Sequence, residues 1–242
     1  MKNSAKYFTL SFLRKEKISR DVFKFYFDRV KRGFDRVKLG SLEQLDFLAG
    51  QYIHIYLPVA DEKGRGNSRM FTIASSPLEK DHIFIATKKG RTIYKKALFN
   101  LVCGTSVKFY GPSGGLVVDE IKKPSYVFLA LGIGITPFRS ILKYVSKKNL
   151  EFPITLIASF SKKEEMCFHD ELLEIAESNP NIKIIYTLKR INDTLIKKYI
   201  KNINTHSYFI VGSPSGVLDL EDVVSGMGIP SDKIFIEDFE GY

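Results

Sequence analysis

The stretch from Val127 to Phe138 reads V-F-L-A-L-G-I-G-I-T-P-F and constrains the fold more than any other part of the chain. An apolar run without polar alternation forms a strand buried on both faces, as in a parallel sheet covered by helices. Glycines close the run, and Pro137 follows where its missing N–H suits the first turn of a helix. A strand that ends in a glycine turn and opens a helix presents free backbone N–H groups and the positive end of a dipole. Such a junction seats a phosphate, here through Gly132, Gly134, Ile135, Thr136 and Pro137. Pro137 stands where a dinucleotide fingerprint has its third glycine, and the next strand ends in Ser159 and Ser161 instead of an acidic residue. The pattern is therefore not that of an ordinary Rossmann dehydrogenase.

The second half repeats this alternation. Apolar runs predict strands over Tyr126–Leu131, Ile154–Ser159, Ile182–Tyr186, Tyr208–Val211 and Lys233–Asp238. Helices are predicted over Pro137–Tyr144, Glu164–Ala176, Asn192–Ile200 and Leu218–Met227. Together they specify an α/β doubly wound parallel sheet. Val211–Gly216 (V-G-S-P-S-G) is a further strand-to-helix turn at the same edge. It is either a plain connection or a second wall for the ligand, through Gly212, Ser213 and Pro214.

The first half has a different period. Asp21–Phe27 (D-V-F-K-F-Y-F) and Gln51–Leu57 (Q-Y-I-H-I-Y-L) alternate near period two, and His82–Thr87 and Ser106–Tyr110 follow in the same style. Short strands punctuated by glycine turns specify a small antiparallel β-barrel. Asp61–Ser68 reads as a polar hairpin loop and Arg29–Gln44 as a charged loop. One helix, Thr92–Leu101, interrupts the barrel, with Thr92 as its cap. The character changes near Asp119–Pro124, which divides the chain into residues 1–120 and 121–242.

A chain of 242 residues suits two modest domains. The apolar stretch Tyr7–Leu13 is broken by Thr9 and Ser11 and closed by Arg14-Lys15-Glu16-Lys17, unlike a leader peptide. The longest apolar run, Tyr126–Ile135, is about half of what a membrane span needs. We expect no transmembrane segment and a cytoplasmic protein. Cys103 and Cys167 are the only cysteines, too few for an iron–sulfur cluster, which normally takes four ligands. No metal site is expected, and any one-electron centre belongs to another molecule. The net charge of +10 comes from scattered lysine pairs such as Lys88-Lys89 and Lys197-Lys198, without a nucleic-acid motif. A solvated surface explains it, with steering toward an acidic partner as the functional alternative.

Arg69-Met70-Phe71-Thr72 is the second segment that bears chemistry. An Arg fork holds a pyrophosphate through two charge-assisted hydrogen bonds. Two residues along a strand a side chain points the same way, so Phe71 can cover a ring that Arg69 anchors, while Thr72 supplies a hydroxyl. Taken alone, the four residues read equally as an edge strand beside a core.

As a set, these segments resemble the ferredoxin–NADP reductase superfamily over nearly the whole chain. Its R-x-[YF]-[ST] motif matches Arg69, Phe71 and Thr72, and its G-Q-Y matches Gly50-Gln51-Tyr52. Its S-x-[FY]-K-x-x-L matches Thr92, Tyr94, Lys95 and Leu98, and its G-P-x-G turn matches Gly111–Gly114. G-I-G-I-T-P matches Gly132–Pro137, and the F-x-G-Y ending of a bacterial subgroup matches Phe239, Gly241 and Tyr242.

The resemblance implies a flavin-binding barrel followed by a nicotinamide-binding domain. Arg69 would hold the FAD pyrophosphate with the amino end of the Thr92 helix facing it, Phe71 would stack on the flavin, and Thr72 would bond near N5. Met70, Thr87 and Lys88 complete the FAD set. Tyr242, otherwise a frayed end, would cover the other flavin face and yield to nicotinamide, with Glu240 as the acidic residue nearby. Gly132, Gly134, Ile135, Thr136, Pro137, Gly212, Ser213 and Pro214 would hold NAD(P). Ser159, Ser161, Lys162 and Arg190, with Lys163 and Lys189, would favour NADPH over NADH, since no acidic residue there opposes a 2′-phosphate. Two departures stand out: Val211 replaces a cysteine common in the family, and Leu131 replaces a glycine.

The implied function is FAD-dependent NAD(P)H oxidation, with hydride passing to flavin N5 and single electrons to a separate acceptor. That acceptor would be a ferredoxin, flavodoxin, haem protein or ferric iron. The alternatives are a reductase of diffusible flavin and an electron-transfer subunit that works only within a complex.

Overall fold

The computed structural model describes residues 5–30, 44–60, 64, 66–122 and 124–239. The first half forms β1 (Lys6–Lys17), β2 (Val22–Asp28), β3 (Tyr52–Tyr56), β4 (Ser68–Thr72), β5 (His82–Lys88), helix α1 (Ile93–Phe99) and β6 (Ser106–Ser113). The six strands make one antiparallel sheet in the order β4-β3-β6-β1-β2-β5. Its edges come together just beyond β4, where Ala74 N and Ser75 N donate to Phe84 O at 2.9 and 3.3 Å. Alternate residues fill the resulting barrel: Phe8, Leu10 and Phe12 from β1, Phe25 and Phe27 from β2, Ile53 and Ile55 from β3. Tyr94 and Leu98 place one face of α1 in the same core.

Strand β1 was absent from the sequence-based expectation. Thr9 and Ser11 look like interruptions of an apolar run, whereas they alternate with the buried Phe8, Leu10 and Phe12 of a period-two strand. Half of the Asp61–Ser68 expectation lies outside the described residues, and β3 and β4 pair antiparallel across it. Most of Arg29–Gln44 also lies outside them.

The second half adds β7 (Ser125–Leu131), α2 (Thr136–Lys147), β8 (Ile154–Ser159), α3 (His169–Ser178), β9 (Ile182–Thr187), α4 (Asp193–Tyr199), β10 (His206–Gly212), α5 (Pro214–Gly226) and β11 (Ile234–Asp238). All five strands run parallel, in the order β11-β10-β7-β8-β9. Successive residues of β7 serve opposite layers, Phe128 and Ala130 on one face, Val127 and Leu129 on the other. Winding reverses between β7 and β10, so the crevice above their carboxyl ends is the ligand position of such sheets.

Two helix starts differ from expectation. The chain at Lys163–Glu165 makes only a 3₁₀ turn, and α3 begins at His169 after Phe168 takes a left-handed φ of 59°. Burial of Cys167 and Phe168 forces that break. Helix α5 starts at Pro214, four residues before the apolar periodicity that marks it becomes visible.

Candidate functional site

A cleft of about 1040 Å³ lies between the barrel and the parallel sheet. The barrel side is made by Lys88–Thr92 and Lys95, at the end of β5 and the start of α1. The sheet side is made by the β7–α2 turn, the ends of β8 and β9, the β10–α5 turn and Phe239.

At the β7–α2 turn Gly132 has a left-handed φ of 57°, where a side chain is strained. A Cβ on Gly134 would fall 2.2 Å from Val211 O, so this glycine exists to let the turn lie against β10. Leu131 fills the space behind: a Cβ on Gly212 would meet Leu131 Cβ at 2.6 Å. Gly132 and Ile133 face the cleft. Ile135, Thr136 and Pro137 are buried in the first turn of α2, with Thr136 Oγ1 donating to Ile133 O at 3.0 Å. They shape the turn and do not line the cleft.

Ser159 and Ser161 line the far wall, and Ser159 Oγ donates to Lys189 O at 2.9 Å. Arg190 lines it too, its guanidinium 3.9 Å from Asp219. Lys162 is exposed and lies outside the wall. Ser213 faces the cleft, whereas Pro214 starts α5 beside it. Two carboxylates, Glu165 and Asp219, stand on the wall. The expectation of no acidic residue there is corrected: Asp219 comes from α5, a helix remote in sequence from the ends of β8 and β9.

The register Tyr52↔Thr72, Ile53↔Phe71 and Ile55↔Arg69 puts Arg69 and Phe71 on the side of β4 that the buried isoleucines share. Arg69 is half-buried with its guanidinium 5.0 Å from the Tyr94 ring, and Nη1 donates to Gly66 O and Ser68 O at 3.1 and 2.6 Å. Phe71 is 3% exposed and packs against Tyr94 at 6.2 Å, a barrel-core position rather than an open stacking face. Met70 packs toward the core of the parallel sheet. Thr72 is buried and its Oγ1 has no hydrogen-bond partner. Thr92 Oγ1 caps α1, accepting from Lys95 N at 3.2 Å. Lys88 instead pairs with Glu165 across the two halves at 2.9 Å.

Near this site Glu237 escaped sequence reasoning, and Lys95 and Tyr52 entered it only as motif positions without a role. Lys95 is buried, donates to the equally buried Thr87 hydroxyl, and sits 5.2 Å from the Phe71 ring. Burial, with Arg69 second, pushes its ammonium down to about 7. Glu237 has a buried Oε1 without a partner, and burial followed by Asp238 pushes its carboxyl up to about 7. Tyr52 is the cross-strand partner of Thr72. A Cβ on Gly114 would stand 2.9 Å from Tyr52 and 3.7 Å from Glu237 Oε2, so strands β3 and β11 converge here. The signal for Glu237 was register: β11 pairs it with Val211, a position already singled out. Glu240 and Tyr242 lie outside the described residues.

The arrangement fits its implied cofactors. An orphaned hydroxyl at Thr72 suits a ring nitrogen, and Gly132 with the close-packed Gly134 forms a cradle that a Cβ would disrupt. Sequence profiles agree: an oxidoreductase FAD-binding domain matches residues 9–117, and an oxidoreductase NAD-binding domain matches residues 128–216. The flavohemoprotein of Bacillus subtilis is 27% identical over 80% of this chain and 52% of its own length. The toluate 1,2-dioxygenase electron transfer component of Pseudomonas putida is 26% identical over 84% of this chain and 62% of its own. The chain thus spans about half to six-tenths of these curated relatives. Ferredoxin–NADP+ reductase from Plasmodium falciparum shares the fold, with a TM-score of 0.76 at 19% identity over 96% of this chain and 95% of that one. With a FAD-binding barrel, an NAD-binding sheet and the turn between β7 and α2 in place, this chain belongs to the ferredoxin–NADP reductase superfamily of oxidoreductases.

Proposed function

We propose that the protein is a FAD-dependent NAD(P)H oxidoreductase, in which hydride passes from nicotinamide to flavin N5 and single electrons pass to a separate acceptor. The observation that carries this reading is the cleft itself, whose walls come from both halves, and beside it stands the unpartnered hydroxyl of Thr72 at the end of β4. FAD, when bound, supplies the redox chemistry. Arg69 and Lys95 provide positive charge for its pyrophosphate, and Thr72 provides the hydroxyl for the ring edge. Gly132 and the start of α2 receive the coenzyme phosphates, with Ser213 on the opposite lip. Residues 1–120 and 121–242 act as the two cofactor domains, with Tyr242 to cover the flavin face and yield to nicotinamide and Glu240 as the acidic residue that accompanies it.

Arg190, Ser159 and Ser161 support NADPH, while Asp219 beside Arg190 weakens that preference. The basic charge of +10 supports an acidic protein acceptor such as a ferredoxin or flavodoxin, reached from the cytoplasm. No described helix is long and apolar enough to cross a membrane. A second reading, a reductase component that works with a partner, draws on the electron transfer component among the relatives.

The test is the visible spectrum of the purified protein and its response to anaerobic NADPH and NADH. A bound flavin absorption that bleaches supports the proposal, and the faster coenzyme gives the preference. A colourless protein that oxidises NADPH only with added flavin makes flavin a diffusing substrate. A colourless, inert protein overturns the reading.

A further inference from the structure

Arg139 lies in the first turns of α2, the helix that the Gly132–Ile135 turn opens, yet its side chain is 3% exposed and points across to the barrel. Its Nη1 donates to Ala74 O at 3.0 Å and to Glu79 Oε2 at 2.5 Å, and Nη2 donates to Glu79 Oε1 at 3.0 Å. Nε donates to Glu171 Oε2 at 3.1 Å, and Nη2 also reaches Glu171 Oε1. The next residue repeats the contact, Ser140 Oγ donating to Ser75 O at 2.7 Å. Ala74 and Ser75 come two and three residues after Thr72, in the segment that leaves the end of β4. Glu79 folds the segment back on itself by accepting from Ser76 N at 2.5 Å.

We propose that Arg139 is a positioning residue for hydride transfer, fixing the dinucleotide-binding turn relative to the flavin-binding strand. This rests on the oxidoreductase reading above. One side chain ties the helix behind the coenzyme phosphates to the backbone just beyond the flavin hydroxyl, so the spacing of the two cofactors is set through it. A planar fork is required. It meets two carboxylates and a carbonyl at once through donors fixed in one plane, a geometry the compact ammonium of a lysine does not reproduce. Burial pushes the Glu79 and Glu171 carboxyls up, but bonding to Arg139 outweighs it and holds both below their ordinary value. Lys143, 3.4 Å from Glu171, adds a second cation from α2, and the Lys24 ammonium faces the same cluster from β2 over the Phe84 ring.

The experiment compares wild type with Arg139→Lys and Ser140→Ala. Hydride transfer is read as the rate of flavin bleaching at saturating coenzyme, and fragment binding with ADP and 2′,5′-ADP. Spin labels on the exposed Cys103 of the barrel and on Ser225→Cys of α5 read the seam without any cofactor; Cys167 is buried and stays unlabelled. The expected result for Arg139→Lys is bleaching ~10- to 100-fold slower, since small misplacements of reacting atoms carry that cost. The label distance distribution broadens, while FAD content and fragment affinity stay within twofold. Ser140→Ala shows the same changes at a few-fold. Bleaching within twofold of wild type in Arg139→Lys, even with a lowered melting temperature, would overturn the proposal and leave Arg139 as structural glue. Should Arg139→Lys fail to fold, an unaltered rate and distance distribution in Ser140→Ala overturns it equally. A wild type that never bleaches defeats the oxidoreductase reading instead, and is seen before any variant is made.

Discussion

Two sets of buried polar groups in the barrel and the sheet follow opposite rules. At Arg139 the guanidinium of a buried side chain bonds a carbonyl and two carboxylates, and Ser140 adds a further bond beside it. At the end of β4 and on β11, by contrast, Thr72 Oγ1 and Glu237 Oε1 are buried with no hydrogen-bond partner. A buried polar group left unpaired costs roughly 1–3 kcal/mol, so such atoms persist where something else completes them. One contact ties the halves together with every donor answered; under the proposed function, ligand atoms would complete the other. On that proposal, stability and function fall to different groups of the molecule.

The largest way to break this division is to disturb the turn that opens α2. Gly134→Ala puts a Cβ 2.2 Å from Val211 O and 2.9 Å from Gly212 Cα, contacts that only a backbone shift relieves. The expected cost is ~3 kcal/mol, read by thermal unfolding, together with lost affinity for ADP. Next comes Thr72→Val, which keeps the shape and removes the hydroxyl. Flavin reduction should slow ~10- to 100-fold, and the apo protein should gain ~1 kcal/mol because an orphaned hydroxyl is gone. Lower rate with higher stability is the signature of an atom kept for a ligand. Loss of both would make Thr72 an ordinary core residue.

The parallel sheet was legible because its signals are local. Apolar strands, glycine turns and caps such as Asn192, whose Oδ1 accepts from Leu195 N at 2.9 Å, lie within a few residues of what they specify. The interface was not. Arg139 in T-P-F-R-S-I-L reads as the polar face of a helix, and only the packing of α2 on the 74–79 segment makes it buried. Glu164-Glu165 looks like an acidic first turn of α3, but buried Cys167 and Phe168 delay the helix to His169. Glu237 looks like a solvated strand end until Tyr52 and Gly114 approach from the barrel. Phe71 shared a side of β4 with Arg69 as expected, yet the helix that should face a pyrophosphate also covers its ring with Tyr94.

Glu237→Gln sharpens the comparison through pH. Burial raises the native carboxyl to about 7, above its unfolded value. Between pH 4.5 and 7 the unfolded chain ionises while the native site holds its proton, so wild-type stability falls across that window. Below it the contribution is fully present; above it the loss is constant. The glutamine variant lacks this dependence and should be more stable than wild type above pH 7, by ~1–2 kcal/mol after allowance for the solvent the residue still reaches. Parallel stability profiles for the two proteins from pH 4 to 8 would put Glu237 with the satisfied groups.

The smallest effect is expected at the cleft rim, where Lys88 of the barrel meets Glu165 of the second half at 2.9 Å with side chains 38% and 18% exposed. Sequence reasoning placed Lys88 with FAD; the contact places it with the seam. A cycle of Lys88→Met, Glu165→Gln and the double variant should give a coupling of ~0.5 kcal/mol at low ionic strength. Salt near 1 M, with a Debye length of ~3 Å, should erase it because the pair is partly solvated. FAD retention should not change in any of the three. If Lys88→Met releases FAD while Glu165→Gln does not, the lysine answers a phosphate rather than a carboxylate, and the division between a closed seam and an open cleft fails at this residue. If both variants shift the unfolding temperature together and leave the cofactor alone, the seam extends from Arg139 up to the lip of the cleft, and its satisfied groups end where the unpartnered ones begin.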